Sequence, residues 1–176
     1  MRMRTIQPIR EKLARAQTAF FRAADTIPGE KWDNCPGLNQ WSAAELVAHL
    51  VVVERGVVTN ADRLTQRAPI PVPFPKRLHF PMWLVEARVI RRKSPVPLDE
   101  SLMAEKEAML AGLRGVRERT LAFISETEQR DLSAYCWRHP FLGTLNLYEW
   151  LEMVAAHQLR HMKQIREIEA KLSRKL

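Results

Sequence analysis

The chain has 176 residues, of which 46% are hydrophobic, so it suits one compact domain spanning residues 1–176 and leaves little room for a second. Its net charge of +8 is compatible with an acidic partner, but Lys and Arg alternate with Glu, as on a solvated helix surface. No apolar stretch reaches the roughly 20 residues of a membrane span, no signal peptide is recognisable, and Cys35 and Cys136 suit reduced thiols, so we expect a soluble, cytoplasmic protein.

Helical periodicity dominates the sequence, and alternating strand patterns are nearly absent. The first long helix is predicted from about residue 7 to residue 26, before a stop at Ile27-Pro28-Gly29. The second starts after Ser42, which forms a capping box with Glu45, and continues to about residue 66. Its apolar stripe contains Leu46, Leu50, Val53, Val57 and Leu64, and His49 lies on the flank of that stripe.

A proline-rich connection follows the second helix, because seven of the eleven prolines lie between residues 68 and 97. Regular helix cannot continue through this stretch, although a short helix is expected from about residue 82 to residue 92. A connection of about 30 residues can carry the chain back along a bundle, so that the second and third long helices run parallel.

The third long helix is predicted from Asp99, as its N-cap, to about residue 126, and the fourth from about residue 144 to residue 173. The third has an apolar face made of Leu102, Met109, Leu113, Val116 and Phe123 or Ile124. The stripe of the fourth contains Leu147, Leu151, Val154, Ile165, Ile168 and Leu172. Four long helices whose apolar faces must meet predict an all-α four-helix bundle.

Two histidines lie one turn apart on the fourth helix, with His161 near the centre of the apolar stripe and His157 on its flank. Together with His49 they would supply three neutral nitrogen ligands from two helices and leave a coordination position open. Histidines at this spacing also occur on helix surfaces and in capped cores, so the spacing alone leaves both interpretations open.

An open coordination position is typical of a reactive metal site. Zn²⁺ held in this way lowers the pKa of its water to about 7, or binds a thiolate beside an electrophile. Ni²⁺, Fe²⁺ and Mn²⁺ also accept imidazole ligands, so the identity of the one divalent ion stays open. The sequence lacks the glutamate of the HExxH motif, which argues against a zinc protease.

Two separated segments surround these histidines. The first is Pro36-Gly-Leu-Asn-Gln-Trp41-Ser42-Ala-Ala-Glu45-Leu-Val-Ala-His49-Leu50, and the second leads from His139-Pro140 through Trp150 to His157-Gln-Leu-Arg-His161. In these segments the chain resembles the DinB/YfiT family of four-helix metalloenzymes. The resemblance implies an up-down-down-up topology and assigns a metal triad to His49, His157 and His161.

The same resemblance implies a class of activity. Relatives in the family include metal-dependent transferases and isomerases that use low-molecular-weight thiols such as bacillithiol, mycothiol or glutathione. We therefore expect a metal-dependent thiol transferase or hydrolase, with a small-molecule substrate, a thiol cosubstrate, no membrane partner and no specific nucleic acid. A homodimer is one assembly that the family analogy allows.

Two other functional classes remain as alternatives. One is a non-catalytic stress-response protein that binds a metal or a small ligand. The other is a nonspecific nucleic-acid binder, suggested by the net charge and by the basic segment at residues 88–93. No zinc-finger spacing, glycine-rich phosphate loop or base-reading motif accompanies that charge.

Several other candidates have simpler explanations. His139, before Pro140, is expected to pack in a loop, and His79 is expected to be exposed. Cys136 and His139 could form a second metal site or a nucleophile pair, but both need a third group that the sequence does not reveal. Four further residues either border the site or serve ordinary packing and solvent roles: Trp41, Trp150, Gln158 and Gln164.

Overall fold

The structure is a computed structural model that describes residues 6–69, 81–87 and 97–174. Four long helices form the body of the molecule, accompanied by one short helix and a two-stranded antiparallel hairpin. The elements are α1 (Gln7–Asp25), α2 (Ala43–Thr65), α3 (Trp83–Glu86), α4 (Lys106–Glu126), β1 (Cys136–His139), β2 (Gly143–Asn146) and α5 (Leu147–Ser173). The predicted all-α four-helix bundle is confirmed.

Hydrogen bonds near the helix ends give the directions of three helices. Lys106, the first residue of α4, donates from Nζ to the carbonyl of Ile27, just after α1, at 2.7 Å, so these two helices are antiparallel. Arg130, just after α4, donates from Nη1 to the carbonyl of Thr65, the last residue of α2, at 2.6 Å. Helices α2 and α4 therefore run parallel, as the long connection between them predicts.

The direction of α5 follows from a contact at its other end. Lys171 donates from Nζ to Oε1 of Gln40 at 2.7 Å, which brings the end of α5 to the start of α2. These two helices are antiparallel, and the order of directions along the chain is up-down-down-up. Among the described helices, none combines the length and apolar character that a membrane crossing requires.

Two predicted helix starts were wrong. The side chain of Asp99 accepts from the N–H of Ser101 at 3.1 Å and caps a short 3₁₀ turn, so α4 begins only at Lys106. Residue Thr144 belongs to β2, and α5 starts after a capping box in which Asn146 and Glu149 bond to each other's backbone. The strands were not predicted because an alternating pattern only four residues long barely differs from chance.

The burial of residues in and before α4 also differs from the prediction. Leu102 and Val116, which were predicted to be buried, are only partly buried, whereas Arg117 is 1% exposed. The other predicted positions on this helix, Met109, Leu113, Phe123 and Ile124, are buried as expected. The charged side chain of Arg117 therefore lies inside the bundle.

The proline-rich connection is described only in part. Helix α3 lies inside the predicted short helix, and residues 88–93, which contain the basic segment, are outside the described residues. The expected exposure of His79 also concerns a residue that is not described. Neither Cys35 nor Cys136 forms a disulfide, in agreement with the expectation of thiols.

Candidate metal centre

The position of His49, the first predicted ligand, along α2 depends on where that helix begins. Ser42 accepts from the N–H of Glu45 at 3.2 Å, and the carboxylate of Glu45 accepts from the N–H of Ser42 at 2.7 Å. The predicted capping box is thus confirmed, and it accounts for Glu45 without a role at the site. His49 is the seventh residue of α2 and faces α5.

All three predicted histidines meet between α2 and α5. Nε2 of His49 lies 3.3 Å from Nε2 of His157, which in turn lies 3.0 Å from Nε2 of His161. One ring nitrogen from each residue falls within 4.8 Å of the other two. His49 is 5% exposed and His161 is 6% exposed, while His157 is partly buried.

This donor set fits a divalent metal ion. Zn–N bonds of about 2.0–2.1 Å in a tetrahedral site place two nitrogens about 3.3 Å apart, close to the separations observed. Three ring nitrogens that face one another in a buried space form a group that could hold an ion.

Burial keeps the three imidazoles in the form that binds metals. It lowers the pKa of His49 from the ordinary value of 6.5 to about 4. Burial is also the main reason why the pKa of His157 falls to about 3 and that of His161 falls well below its usual range. All three rings are therefore neutral at neutral pH, with lone pairs available to a cation.

The hairpin lies beside this triad. Nδ1 of His139 accepts from the N–H groups of Phe141 and Leu142 at 3.1 and 3.2 Å, and its ring centroid lies 5.1 Å from that of Trp150. These contacts confirm the expected loop packing of His139. The side chain is also near enough to His157 that a charge on His139 lowers the pKa of His157, after the larger effect of burial.

The two tryptophans differ in their roles. The ring of Trp41 lies 5.0 Å from that of His49, so this side chain borders the histidine cluster. Trp150 is buried, stacks on Trp137 at 4.4 Å, and donates from Nε1 to the carbonyl of Trp137 at 3.3 Å. It therefore anchors the hairpin to α5 as a scaffold residue.

The two glutamines also have different surroundings. Gln164 lies next to the triad, with Oε1 at 3.1 Å from Nδ1 of His161. Gln158 is 2% exposed and accepts from Arg117, so it neither contacts the histidines by a hydrogen bond nor lines solvent. The thiol of Cys136 donates to the carbonyl of Ser133 at 3.6 Å, and among the described residues it joins no metal-binding group with His139.

A buried polar cluster around Arg117 and Glu54 was not predicted from the sequence. A signal for it exists, because Glu54 falls at helical spacing between Leu50 and Val57 on the apolar stripe of α2. A charged residue at such a position requires a partner of opposite sign, but the sequence does not say which of the basic residues provides it.

Comparison with known proteins gives two findings. The sequence model of the DinB superfamily matches residues 12–165. The uncharacterized protein YuaE of Bacillus subtilis (strain 168) is 25% identical over 149 residues, which cover 84% of this chain and 89% of that protein.

Proposed function

The chain belongs to the DinB superfamily, and from that premise we propose that it is a metal-dependent enzyme with thiol-transferase or hydrolase chemistry. Its ion would be held by His49, His157 and His161. The observation that carries the proposal is the meeting of three buried or partly buried imidazoles, whose Nε2 atoms are 3.0 and 3.3 Å apart along the triad. Neutral rings at this spacing match the ligand set of an open metal site.

A divalent ion, Zn²⁺ or else Ni²⁺, Fe²⁺ or Mn²⁺, would supply Lewis-acid chemistry at the position that three imidazoles leave open. The protein's own contribution begins with the exclusion of water, because His49 and His161 are almost fully buried and Trp41 packs beside His49. Low local polarity strengthens every charge interaction at this place.

The charge next to the triad favours an anionic ligand. After burial and the charges of the neighbouring histidines, the positive charge of Arg160 also lowers the pKa of both His157 and His161. A field that disfavours a positive imidazolium stabilises a negative group at the same place, for example a thiolate or a carboxylate. The Arg160 side chain is held toward α3, since Nη1 donates to the carbonyl of Val85 at 3.3 Å.

His139 would offer a hydrogen-bond donor to such a ligand. Two backbone N–H groups point at Nδ1, so that nitrogen is the acceptor and Nε2 carries the proton. Burial lowers the pKa of His139, so the ring is neutral at neutral pH. Trp150, on which the ring lies, is seven residues before His157 and shares its face of α5.

The decisive experiment is metal analysis of the purified protein, followed by a panel of low-molecular-weight thiols with a generic electrophile. We expect one ion per chain and thiol-dependent turnover only in the metal-loaded form. Protein that contains no metal, and takes up none after dialysis against Zn²⁺, Ni²⁺, Fe²⁺ or Mn²⁺, contradicts the proposal. A metal-loaded protein without turnover with any thiol of the panel would favour the non-catalytic alternative.

A further inference from the structure

One guanidinium joins all four long helices. Arg117 of α4 donates from Nε and Nη2 to the two carboxylate oxygens of Glu54 on α2, at 2.6 and 2.9 Å. Its Nη1 donates to the carbonyl of Leu13 on α1 at 2.7 Å, and its Nη2 donates to Oε1 of Gln158 on α5 at 2.9 Å. Thr120 adds a bond from Oγ1 to Glu54 at 2.7 Å. We call these five residues the Arg117 cluster.

Burial of the Arg117 cluster has a large free-energy cost of desolvation. Arg117, Glu54 and Gln158 are between 1% and 4% exposed, so both charges have lost their hydration. Replacement of such a buried pair by apolar residues of similar volume often leaves stability unchanged or raises it. Stability alone therefore does not account for the cluster, and its directional bonds require another explanation.

Two of the four helices that the Arg117 cluster joins, α2 and α5, also carry the histidine triad. Gln158 directly follows His157 on α5, and Glu54 lies five residues after His49 on α2, or about 7.5 Å along the helix axis. Both helices that carry the histidines are thus bonded to one guanidinium, less than two turns from those histidines.

A metal site tolerates much less displacement than an apolar interface does. Metal–ligand distances must stay within about 0.2 Å, whereas a slip of one residue along a helix moves a side chain by about 1.5 Å. Apolar burial is not directional, whereas a bidentate carboxylate bond fixes both distance and angle.

We propose that the Arg117 cluster sets the register between α2 and α5 and thereby holds His49 and His157 at metal-binding distance. Arg117, Glu54 and Gln158 are then positioning residues of the metal site. The inference rests on the proposed function, since it requires that the triad binds metal.

The test replaces the cluster by apolar residues of similar volume, in the triple variant E54L/R117M/Q158L. Two quantities are measured: the Tm of the metal-free protein, and the Kd for Zn²⁺ by competition with a chromophoric chelator. We expect an unchanged or higher Tm together with a Kd raised on the order of tenfold or more, as for other residues that orient ligands. A cluster that serves stability alone would give a lower Tm in the triple variant and an unchanged Kd.

A second variant removes only the bond to α5. Q158L keeps the Arg117–Glu54 pair, so the protein retains its buried charge balance, and we expect a smaller rise in Kd in the same direction. The matched control is D62N/R119Q, which removes a surface ion pair between the same helices α2 and α4, in which Nη2 of Arg119 donates to both carboxylate oxygens of Asp62 at 2.7 and 2.8 Å. This control should keep the Kd of the wild type.

The outcomes separate the two proposals. A wild-type protein that does not bind Zn²⁺ or another divalent ion refutes the metal site itself. If the wild type binds Zn²⁺ and the triple variant binds it equally well, the positioning role is refuted and the metal site stands. If the triple variant does not fold, Q158L decides, and an unchanged Kd in that variant overturns the inference.

Discussion

Gln164 lies one turn after His161 on α5, and its Oε1 is 3.1 Å from Nδ1 of that histidine. An amide oxygen only accepts hydrogen bonds, so Nδ1 of His161 carries the proton and Nε2 presents its lone pair toward His157. Gln164 thus selects the tautomer of His161 that a metal ion needs. Such orienting partners of histidine ligands are a regular part of metal sites.

The first prediction concerns this orienting contact. Q164L should raise the Kd for Zn²⁺ by about 10- to 100-fold, because His161 loses the acceptor that fixes its tautomer. Q164E should bind at least as well as the wild type, since a carboxylate accepts the same bond and makes the imidazole more basic. Competition with a chelator gives both values, and equal affinity of Q164L and the wild type would show that the contact has no such role.

The second prediction concerns the triad. Alanine at position 49, 157 or 161 should remove most of the bound metal, since only two imidazoles remain. The far-ultraviolet circular dichroism should stay largely the same, because the apolar side chains of α1, α2, α4 and α5 supply the core. H139N is the control for loss of a nearby histidine and should retain metal. Full metal content in H49A, H157A and H161A would refute the assignment.

The third prediction concerns pH. The pKa of His49 is about 4 and that of His157 is about 3 in the folded protein, against 6.5 for an ordinary imidazole. Between these values the unfolded chain binds more protons than the folded one, so the free energy of unfolding rises with pH in this range. Stability from the buried neutral rings is complete above about pH 6.5 and is lost as the pH falls toward 4.

Urea denaturation of the metal-free protein at pH 7.0, 6.0 and 5.0 measures this dependence, since most carboxylates stay ionised there. The variant H49L/H157L should give a flatter pH profile, because two of the groups with different pKa values in the folded and unfolded states are gone. Identical slopes for the variant and the wild type would contradict the burial effect.

The fourth prediction separates two roles of His139. Asparagine can place Oδ1 near the position of Nδ1 and accept from Phe141 and Leu142, but it has no group in place of Nε2–H. H139N should therefore keep a Tm close to the wild type and lose turnover on the order of tenfold, the effect of one hydrogen bond to a charged ligand. H139A should have a lower Tm than the wild type as well as a lower turnover. Wild-type turnover in H139N would leave His139 with the loop role alone.

The fifth prediction concerns the two thiols. Removal of the metal by a chelator should abolish turnover, and Zn²⁺ or the native ion should restore it. C35A and C136A should remain active, because neither thiol belongs to the histidine group that could hold the ion. Cys35 lies 3.9 Å from a carboxylate oxygen of Glu45, and Cys136 bonds to the carbonyl of Ser133. Loss of turnover in C136A with its metal intact would indicate a protein nucleophile instead.

The sequence by itself determined the features that depend on neighbours within a helix. Periodicity located the four long helices, the pattern Ser42 to Glu45 fixed the start of α2, and the spacing of His157 and His161 put them on one side of α5. These features form between residues at most four positions apart, where backbone geometry alone decides which side chains meet. His49 lies 108 residues before His157. From the sequence it was known only that His49 lies on the flank of the apolar stripe of α2 and that the family resemblance assigns it to the triad.

Only the tertiary structure decided what crosses between helices. Arg117 bonds to Leu13 and to Glu54, 104 and 63 residues away, and no local rule selects Arg117 among the 28 Lys and Arg residues as the partner of Glu54. The approach of Nε2 of His49 to within 3.3 Å of Nε2 of His157 depends in the same way on how α2 and α5 are packed. Hydrophobic burial drives helices together without direction, so the axial register that completes the site is a property of the assembled bundle.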